Sequence, residues 1–153
     1  MGCDRVPLRY FRVKTAQERA VESGPVPWTI VRATQFHELI STSLDAASRW
    51  GVMPIPKGTL QTVAVQDAAR AIANVAENAA LRRRVSVVGP ERNELRDLAK
   101  RWRASAGRRV LFLPMPLPGA IGQALRGGAL TAESPDVRGR TSFKAWLEAR
   151  AAG

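Results

Sequence analysis

Tyr10 and Lys14 are the residues whose types and spacing point most directly to chemistry. They stand in the segment Tyr-Phe-Arg-Val-Lys, so in a helix both side chains lie on one face. An ammonium group near a phenol stabilises the phenolate and lowers the tyrosine pKa, which suits a proton donor beside a carbonyl group. A lysine also supplies donors for ribose hydroxyls. Because both residue types are common, the spacing alone favours a packed aromatic residue and a solvated lysine.

The element that must position this pair is a predicted strand over residues 28–33. It is apolar and β-branched, and Gly24, Pro25 and Pro27 precede it. Helical patterns lie on both sides of it, over residues 10–23 and 37–50, and this order is typical of a parallel α/β sheet. Ligands of such sheets bind beyond the carboxyl ends of the strands, which places residues 32–36 at a candidate site.

The rest of the chain continues the same alternation of strands and helices. We predict strands at 60–65, 85–88 and 110–113, helices at 68–77, 93–106, 121–125 and 142–151, an irregular strand or loop at 52–56, and a loop at 132–140. In the helix that begins near residue 68, we expect an inward face formed by Ala69, Ile72, Ala73 and Ala76. Asp67 and Thr141 are predicted helix caps.

Composition limits the class of protein. The 153 residues suffice for a single domain with a core, and no apolar run is long enough to span a membrane. The lone cysteine, Cys3, rules out an internal disulfide and fits a reducing cytoplasm. One histidine and one cysteine do not make a zinc site, so no metal is expected.

The net charge of +11 raises the alternative of a basic nucleic-acid-binding module. A stripe of cations is predicted along one side of the helix at 93–106, formed by Arg92, Arg96, Lys100 and Arg103. No helix-turn-helix, zinc spacing or stacking sheet accompanies it, so a solvated helix face is favoured over nucleic-acid binding. The segment Pro-Gly-Ala-Ile-Gly at 118–122 has Leu117 where the first glycine of GxGxxG should stand, and it predicts a turn into a helix.

Four segments in their order and spacing resemble the NmrA-like family of atypical short-chain dehydrogenases/reductases. They are Tyr-Phe-Arg-Val-Lys-Thr-Ala-Gln-Glu at 10–18, Val-Pro-Trp-Thr-Ile-Val-Arg-Ala-Thr-Gln-Phe-His at 26–37, Val-Ala-Val-Gln-Asp-Ala-Ala-Arg-Ala-Ile at 63–72, and Val-Val-Gly-Pro-Glu at 87–91 followed by Glu-Leu-Arg-Asp-Leu. The resemblance covers nearly the whole chain. It implies a Rossmann-like NAD(P)-binding protein and, where active, an NAD(P)H-dependent oxidoreductase acting on a small carbonyl or quinone-like substrate in the cytoplasm.

The resemblance also assigns roles to residues. Lys14 would bind the nicotinamide ribose, and Tyr10 with Lys14 would form the catalytic pair. Ala33, Thr34, Gln35 and Phe36 would flank the nicotinamide, and His37 would face the substrate. A structural role is favoured for His37, because a lone histidine at a helix start is more often structural. NADPH is expected over NADH, although the residues that discriminate between them are not in this sequence.

The family begins with a Gly-rich phosphate loop that this sequence lacks. We therefore expect a single partial domain over residues 1–153, the C-terminal part of a Rossmann-like parallel sheet with flanking helices, incomplete at its N-terminal side. Cofactor binding should then be impaired, and the strand at 28–33 should have an open edge that promotes self-association. The runner-up function is a non-catalytic regulator that senses the dinucleotide.

Overall fold

The computed structural model describes residues 9–152, which form an α/β structure with parallel strands and flanking helices. The six α-helices are α1 Arg9–Glu22, α2 His37–Ala47, α3 Val65–Ala76, α4 Leu95–Ser105, α5 Gly119–Arg126 and α6 Phe143–Ala152. The seven strands are β1 Ile30–Ala33, β2 Val52–Pro56, β3 Thr59–Leu60, β4 Arg84–Val88, β5 Asn93–Glu94, β6 Leu111–Met115 and β7 Val137–Arg138. Cys3 lies outside the described residues.

The main sheet has three parallel strands in the order β1-β4-β7. Ile30 is level with Arg84 and Ala33 with Val87, so β1 and β4 end together. Among the described strands only β4 pairs with β1, which leaves β1 at one edge of the sheet. All four residues of β1 are half-buried, although an interior parallel strand would bury both faces.

A second part of the fold is built on two strand pairs. β2 and β6 are parallel, whereas β3 and β5 are antiparallel. Pro54 and Pro114 lie within the β2–β6 pair, where each strand has a single partner among the described strands and proline is tolerated. Helix α4 packs between this strand pair and α6, so a layer of helices covers the strand pair.

The larger apolar core lies in this second part. Trp102, Phe143, Met53 and Leu98 are its largest fully buried side chains. A separate small core lies under the main sheet and consists of Val63, Ala71 and Val87, against which Val31, Ala33 and Val137 pack. Within residues 9–152, no helix combines the length and apolar character needed to cross a membrane.

Several sequence predictions need correction. The strand predicted at 60–65 is only Thr59–Leu60, because Val65 already begins α3. The predicted loop at 132–140 contains the short strand β7. The helix predicted over 37–50 ends at Ala47 as α2, and a short 3-10 turn continues to Trp50. Leu39 and Trp50 are exposed, whereas the buried side of α2 carries His37, Ile40, Ser41 and Leu44.

The predicted inward face of α3 is wrong. Ala69, Ile72, Ala73 and Ala76 are all exposed, whereas Ala68 and Ala71 pack inward. Both faces of this helix carry small apolar residues, so helical periodicity alone could not select between them. The result is an exposed apolar side of α3, on which Ile72 is 50% exposed.

The predicted caps are also different in detail. Asp67 lies inside the first turn of α3, and its Oδ2 accepts hydrogen bonds from the backbone N–H groups of Arg140 and Thr141, both at 2.8 Å. Helix α6 is capped by Ser142, whose hydroxyl accepts a hydrogen bond from Ala145 N. Asp67 is thus structural, as predicted, but it holds the segment that precedes α6.

Candidate functional site

The loop after β1 is fixed by backbone hydrogen bonds on two sides. Thr34 N donates to Val87 O at 3.0 Å, and Val63 N donates to Gln35 O at 2.9 Å. His37 N in turn donates to Val63 O at 3.0 Å. The loop therefore lies at the carboxyl ends of β1 and β4, where parallel sheets bind ligands.

Side-chain polar atoms in and beside this loop have no hydrogen-bond partner among the described residues. They are Thr34 Oγ1, Gln35 Oε1 and Glu38 Oε2. Thr34 is only 4% exposed, so its hydroxyl lacks solvent as well as a protein partner. Buried polar atoms are nearly always hydrogen-bonded, and a cluster of exceptions calls for an explanation.

Helix α1 is held against the sheet by ion pairs. Arg32 Nε donates to Glu18 Oε1 at 2.8 Å, and Arg84 Nη2 lies 2.6 Å from Glu22 Oε1. Glu22 thus lies level with the start of β1, and Glu18 lies further along it. Helix α1 therefore runs antiparallel to β1, with its N-terminus toward the carboxyl end of the strand. The hydrogen bond from Arg32 holds the pKa of Glu18 below its usual value.

Lys14 and Tyr10 lie on the part of α1 that is nearer the carboxyl end of β1. Tyr10, Lys14 and Glu18 are spaced i, i+4 and i+8, so they form one stripe along α1. Lys14 lies about 6 Å beyond Glu18 along the helix, and Thr34 lies about 7 Å beyond Arg32 along the strand. The two distances are similar, so we expect Lys14 to lie level with the end of the strand.

The predicted pair itself is in contact on an open surface. Lys14 Nζ lies 5.8 Å from the centroid of the Tyr10 ring, and Tyr10 is 64% exposed. Its neighbour Phe11 packs against the larger core and anchors this end of α1. The ammonium group is thus near the phenol, as the spacing predicts, and both side chains are accessible to a ligand.

His37 is placed differently from the residues around it. It is fully buried, with Nδ1 2.9 Å from Thr62 Oγ1 and Nε2 3.0 Å from Thr141 O. Since a carbonyl oxygen only accepts, Nε2 carries the proton and Nδ1 accepts from the Thr62 hydroxyl. Burial lowers the pKa of His37. Both ring nitrogens are engaged within the protein, which fits the favoured structural role and leaves neither for a substrate.

The predicted basic stripe on α4 is largely engaged within the protein. Arg92 donates to Ala132 O, Lys100 to Asp97, and Arg103 to Val110 O. Arg96 forms no ion pair or hydrogen bond with any of the described residues. The four cations therefore do not form a continuous free surface for phosphates.

The segment Pro-Gly-Ala-Ile-Gly is a turn into a helix, as predicted. Helix α5 begins at Gly119, whose positive φ of 71° suits glycine. A side chain at position 122 would collide with Leu117 O, so the second glycine serves close packing. In residues 9–152, no group of three or more histidine, cysteine or acidic side chains is arranged to hold a metal ion.

Sequence reasoning missed two contributors to this site. Glu18 could have been found from its position one turn after Lys14 on the same face. Glu38 gave no comparable signal, because its role depends on Trp146 Nε1, which donates to Glu38 Oε1 at 3.1 Å from a helix far along the chain. That bond leaves the second carboxylate oxygen unpartnered.

Comparison with known proteins agrees with the fold. No family model and no curated protein sequence matches the chain. Among solved structures it is similar to an NADPH-dependent quinone oxidoreductase from Escherichia coli, with a TM-score of 0.75, 18% identity, and coverage of 97% of this chain and 64% of the other. It is also similar to triphenylmethane reductase from Citrobacter sp., with a TM-score of 0.65, 19% identity, and coverage of 88% and 55%.

A third similar structure is a nucleoside-diphosphate-sugar epimerase from Staphylococcus aureus, with a TM-score of 0.66, 16% identity, and coverage of 88% and 56%. The triphenylmethane reductase has also been solved in complex with NADP(H). The chain thus spans between about half and two thirds of the length of these proteins. The expected fold, a partial Rossmann-like sheet of the kind found in NAD(P)-binding reductases, is confirmed.

Proposed function

We propose that this chain forms the nicotinamide side of an NAD(P)H-dependent oxidoreductase of the NmrA-like type. Three observations support the proposal: Lys14 lies beside the Tyr10 ring, ion pairs align α1 with β1, and the loop after β1 holds polar atoms without partners among the described residues. The activities of the similar structures, on a quinone or a dye, support a small carbonyl or quinone-like substrate.

The residues of the loop fit the nicotinamide group. Its carboxamide has N–H donors and a carbonyl acceptor, and Thr34 Oγ1 and Gln35 Oε1 supply the complementary atoms. Lys14 would donate to the ribose hydroxyls. A reduced nicotinamide, when bound, supplies a hydride.

Within this arrangement each residue has a separate task. Tyr10 donates its phenolic proton to the substrate oxygen, and the nearby Lys14 ammonium favours the resulting phenolate. Residues 33–36 would hold the nicotinamide and exclude water from it, since Thr34 is buried and Phe36 is apolar. His37 fixes the loop from beneath by binding Thr62 and Thr141.

Affinity for the whole dinucleotide should be low in this chain. The sequence contains no GxGxxG, so it does not offer the Gly-rich helix start that binds pyrophosphate in Rossmann domains. The expected cofactor is NADPH, and binding would depend on the nicotinamide end alone. We propose that a partner segment with a Gly-rich loop, supplied in trans, would raise this affinity.

We further propose that the open edge of β1 associates with a second copy of the chain. An apolar groove of about 310 Å³ runs beside this edge, lined by Val31 of the strand and by Ile72 and Val75 of α3. An uncovered strand edge next to apolar side chains favours pairing with another strand.

The experiment that tests the cofactor site is a titration with reduced nicotinamide mononucleotide and NADPH, followed by nicotinamide fluorescence. Lys14→Ala should weaken binding about fivefold, the loss expected for one charge-assisted contact. Lys144→Ala should change it less than about twofold, because the one ion pair of Lys144 with the described residues is the exposed contact with Glu148. Tyr10→Phe should leave binding unchanged, because it keeps the ring that Lys14 contacts. Equal effects of the two lysine substitutions would contradict the assignment.

A further inference from the structure

A cleft of about 410 Å³ opens between the loop after β2, the start of α4 and strand β6. Its walls combine apolar and cationic side chains. Ile55, Leu95 and Phe112 supply the apolar surface, and Lys57, Arg96 and Arg126 supply the charge. A pocket that is mainly apolar with a few convergent polar groups is the usual form of a small-molecule site.

The charge in this cleft is unbalanced. Glu94 is the single carboxylate in its lining, against the three cations. Neither Lys57 nor Arg96 forms an ion pair with any of the described residues. Lys57, Arg96 and Arg126 are exposed residues of this lining, and an excess of one sign of charge around a cleft raises the local concentration of anions.

Two contacts fix the shape of the cleft. Arg126 Nη1 donates to Leu117 O at 3.1 Å, which fixes the guanidinium and leaves its other N–H groups available. A Cβ at Gly58 would lie 3.0 Å from Leu125 Cβ, so α5 packs directly against the loop that carries Lys57. A second, more polar cavity adjoins the cleft and shares Thr59 and Arg126 with it. Arg126 therefore stands at the polar end.

We propose that this cleft binds a small aromatic anion, an aryl carboxylate, with its ring on Ile55, Leu95 and Phe112 and its charge between Lys57, Arg96 and Arg126. The proposal goes beyond the proposed oxidoreductase function and does not need a cofactor. The chain leads from the cleft through β3 to Val63, which pairs with Phe36 of the β1 loop. The lining of the cleft contains neither Tyr10, Lys14 nor any of residues 33–37, so a substitution in the cleft removes no group of the proposed cofactor site.

The test uses 2-naphthoate as the probe and neutral 2-naphthamide as its control, with binding to the full chain followed by amide NMR shifts. We expect 2-naphthoate to bind with a Kd of about 1 mM, as its size allows, and to shift residues 57–59 and 94–96. The amide should bind at least about fivefold more weakly, since it lacks the charge.

Three variants then separate charge recognition from general stickiness. Lys57→Gln with Arg96→Gln should weaken 2-naphthoate about tenfold, and Glu94→Gln should strengthen it about twofold because it removes the one opposing charge. Arg19→Gln with Lys144→Gln makes the same change in net charge outside the cleft, and it should have an effect below about twofold. Equal binding of the amide, or an equal loss in the two double variants, would overturn the proposal.

Discussion

The two apolar cores of this protein differ in how completely the chain covers them. The larger core holds Trp102 at 1% exposure and Phe143 at 1%, and its side chains come from α2, α4, α6 and β2 among other segments. The smaller one buries only Val63, Ala71 and Val87, and the edge strand β1 above it has no fully buried residue. The candidate cofactor site lies at the poorly covered end.

We infer that the larger core mainly determines stability, whereas the β1 region is the part available for binding. The larger core is buried by contacts within residues 9–152, so we expect it to contribute most of the free energy of unfolding. The β1 region has a buried polar atom without a hydrogen-bond partner among the described residues, Thr34 Oγ1, and apolar side chains along an open groove beside Ile72. A ligand or a second chain that supplied the missing hydrogen bond or covered the apolar surface would stabilise this region.

The largest expected effect compares the two cores directly. Trp102→Ala should lower the free energy of unfolding by about 3–5 kcal/mol, because it leaves a large cavity in a packed region. Val31→Ala, at a half-buried position of β1, should cost about 1 kcal/mol or less. Urea denaturation followed by circular dichroism measures both. A Val31 variant as damaging as the Trp102 variant would show that the β1 region is as well packed as the larger core.

A smaller effect concerns association through the open edge. Ile72→Lys places a charge in the groove beside β1 and should raise the dimer dissociation constant about tenfold or more. Leu39→Lys changes an equally exposed apolar residue on α2 and serves as the matched control. Sedimentation velocity over a range of concentrations checks this, and a wild-type chain that stays monomeric throughout would rule out self-association.

The smallest effect is a pH dependence from His37, the only histidine. Burial lowers its pKa, so the folded state resists protonation and the unfolded state takes up the proton first. Stability should therefore fall as the pH drops below about 6.5, by no more than about 1.4 kcal/mol per pH unit. His37→Gln should flatten the slope of unfolding free energy between about pH 7 and pH 5.5. An unchanged slope in the His37→Gln variant would show that other groups cause the pH dependence.

The sequence predicts most helices and strands because their periodicity and their Gly or Pro boundaries are local signals. Helix α4 shows this, since Leu98, Ala99 and Trp102 are buried as their spacing indicates. Helix α3 shows the limit, because alanines occur on both of its faces and only the position of the sheet decides which is buried. The burial of His37 and Ser41 in place of Leu39 likewise depends on partners more than a hundred residues away, Thr141 and Arg150.

The candidate site divides in the same way. The Tyr10–Lys14 pair is local to one helix, and its contact was predictable from spacing. The direction of that helix over β1 depends on pairs such as Glu18 with Arg32. Arg96 contributes to a binding cleft only because β2 and β6 bring Ile55 and Phe112 beside it. These are long-range contacts, which residue spacing does not encode.

The proposed nicotinamide site lies between the α1 stripe and residues 34–36. It is tested most directly by titrating the ¹⁵N-labelled chain with reduced nicotinamide mononucleotide up to about 10 mM, a range that detects millimolar affinity. We expect the largest amide shifts at Lys14, Thr34, Gln35 and Phe36, and we expect Lys14→Ala to reduce them while Lys144→Ala does not. The absence of shifts at these residues, or shifts that map instead to the cleft beside Lys57 and Arg96, would contradict it.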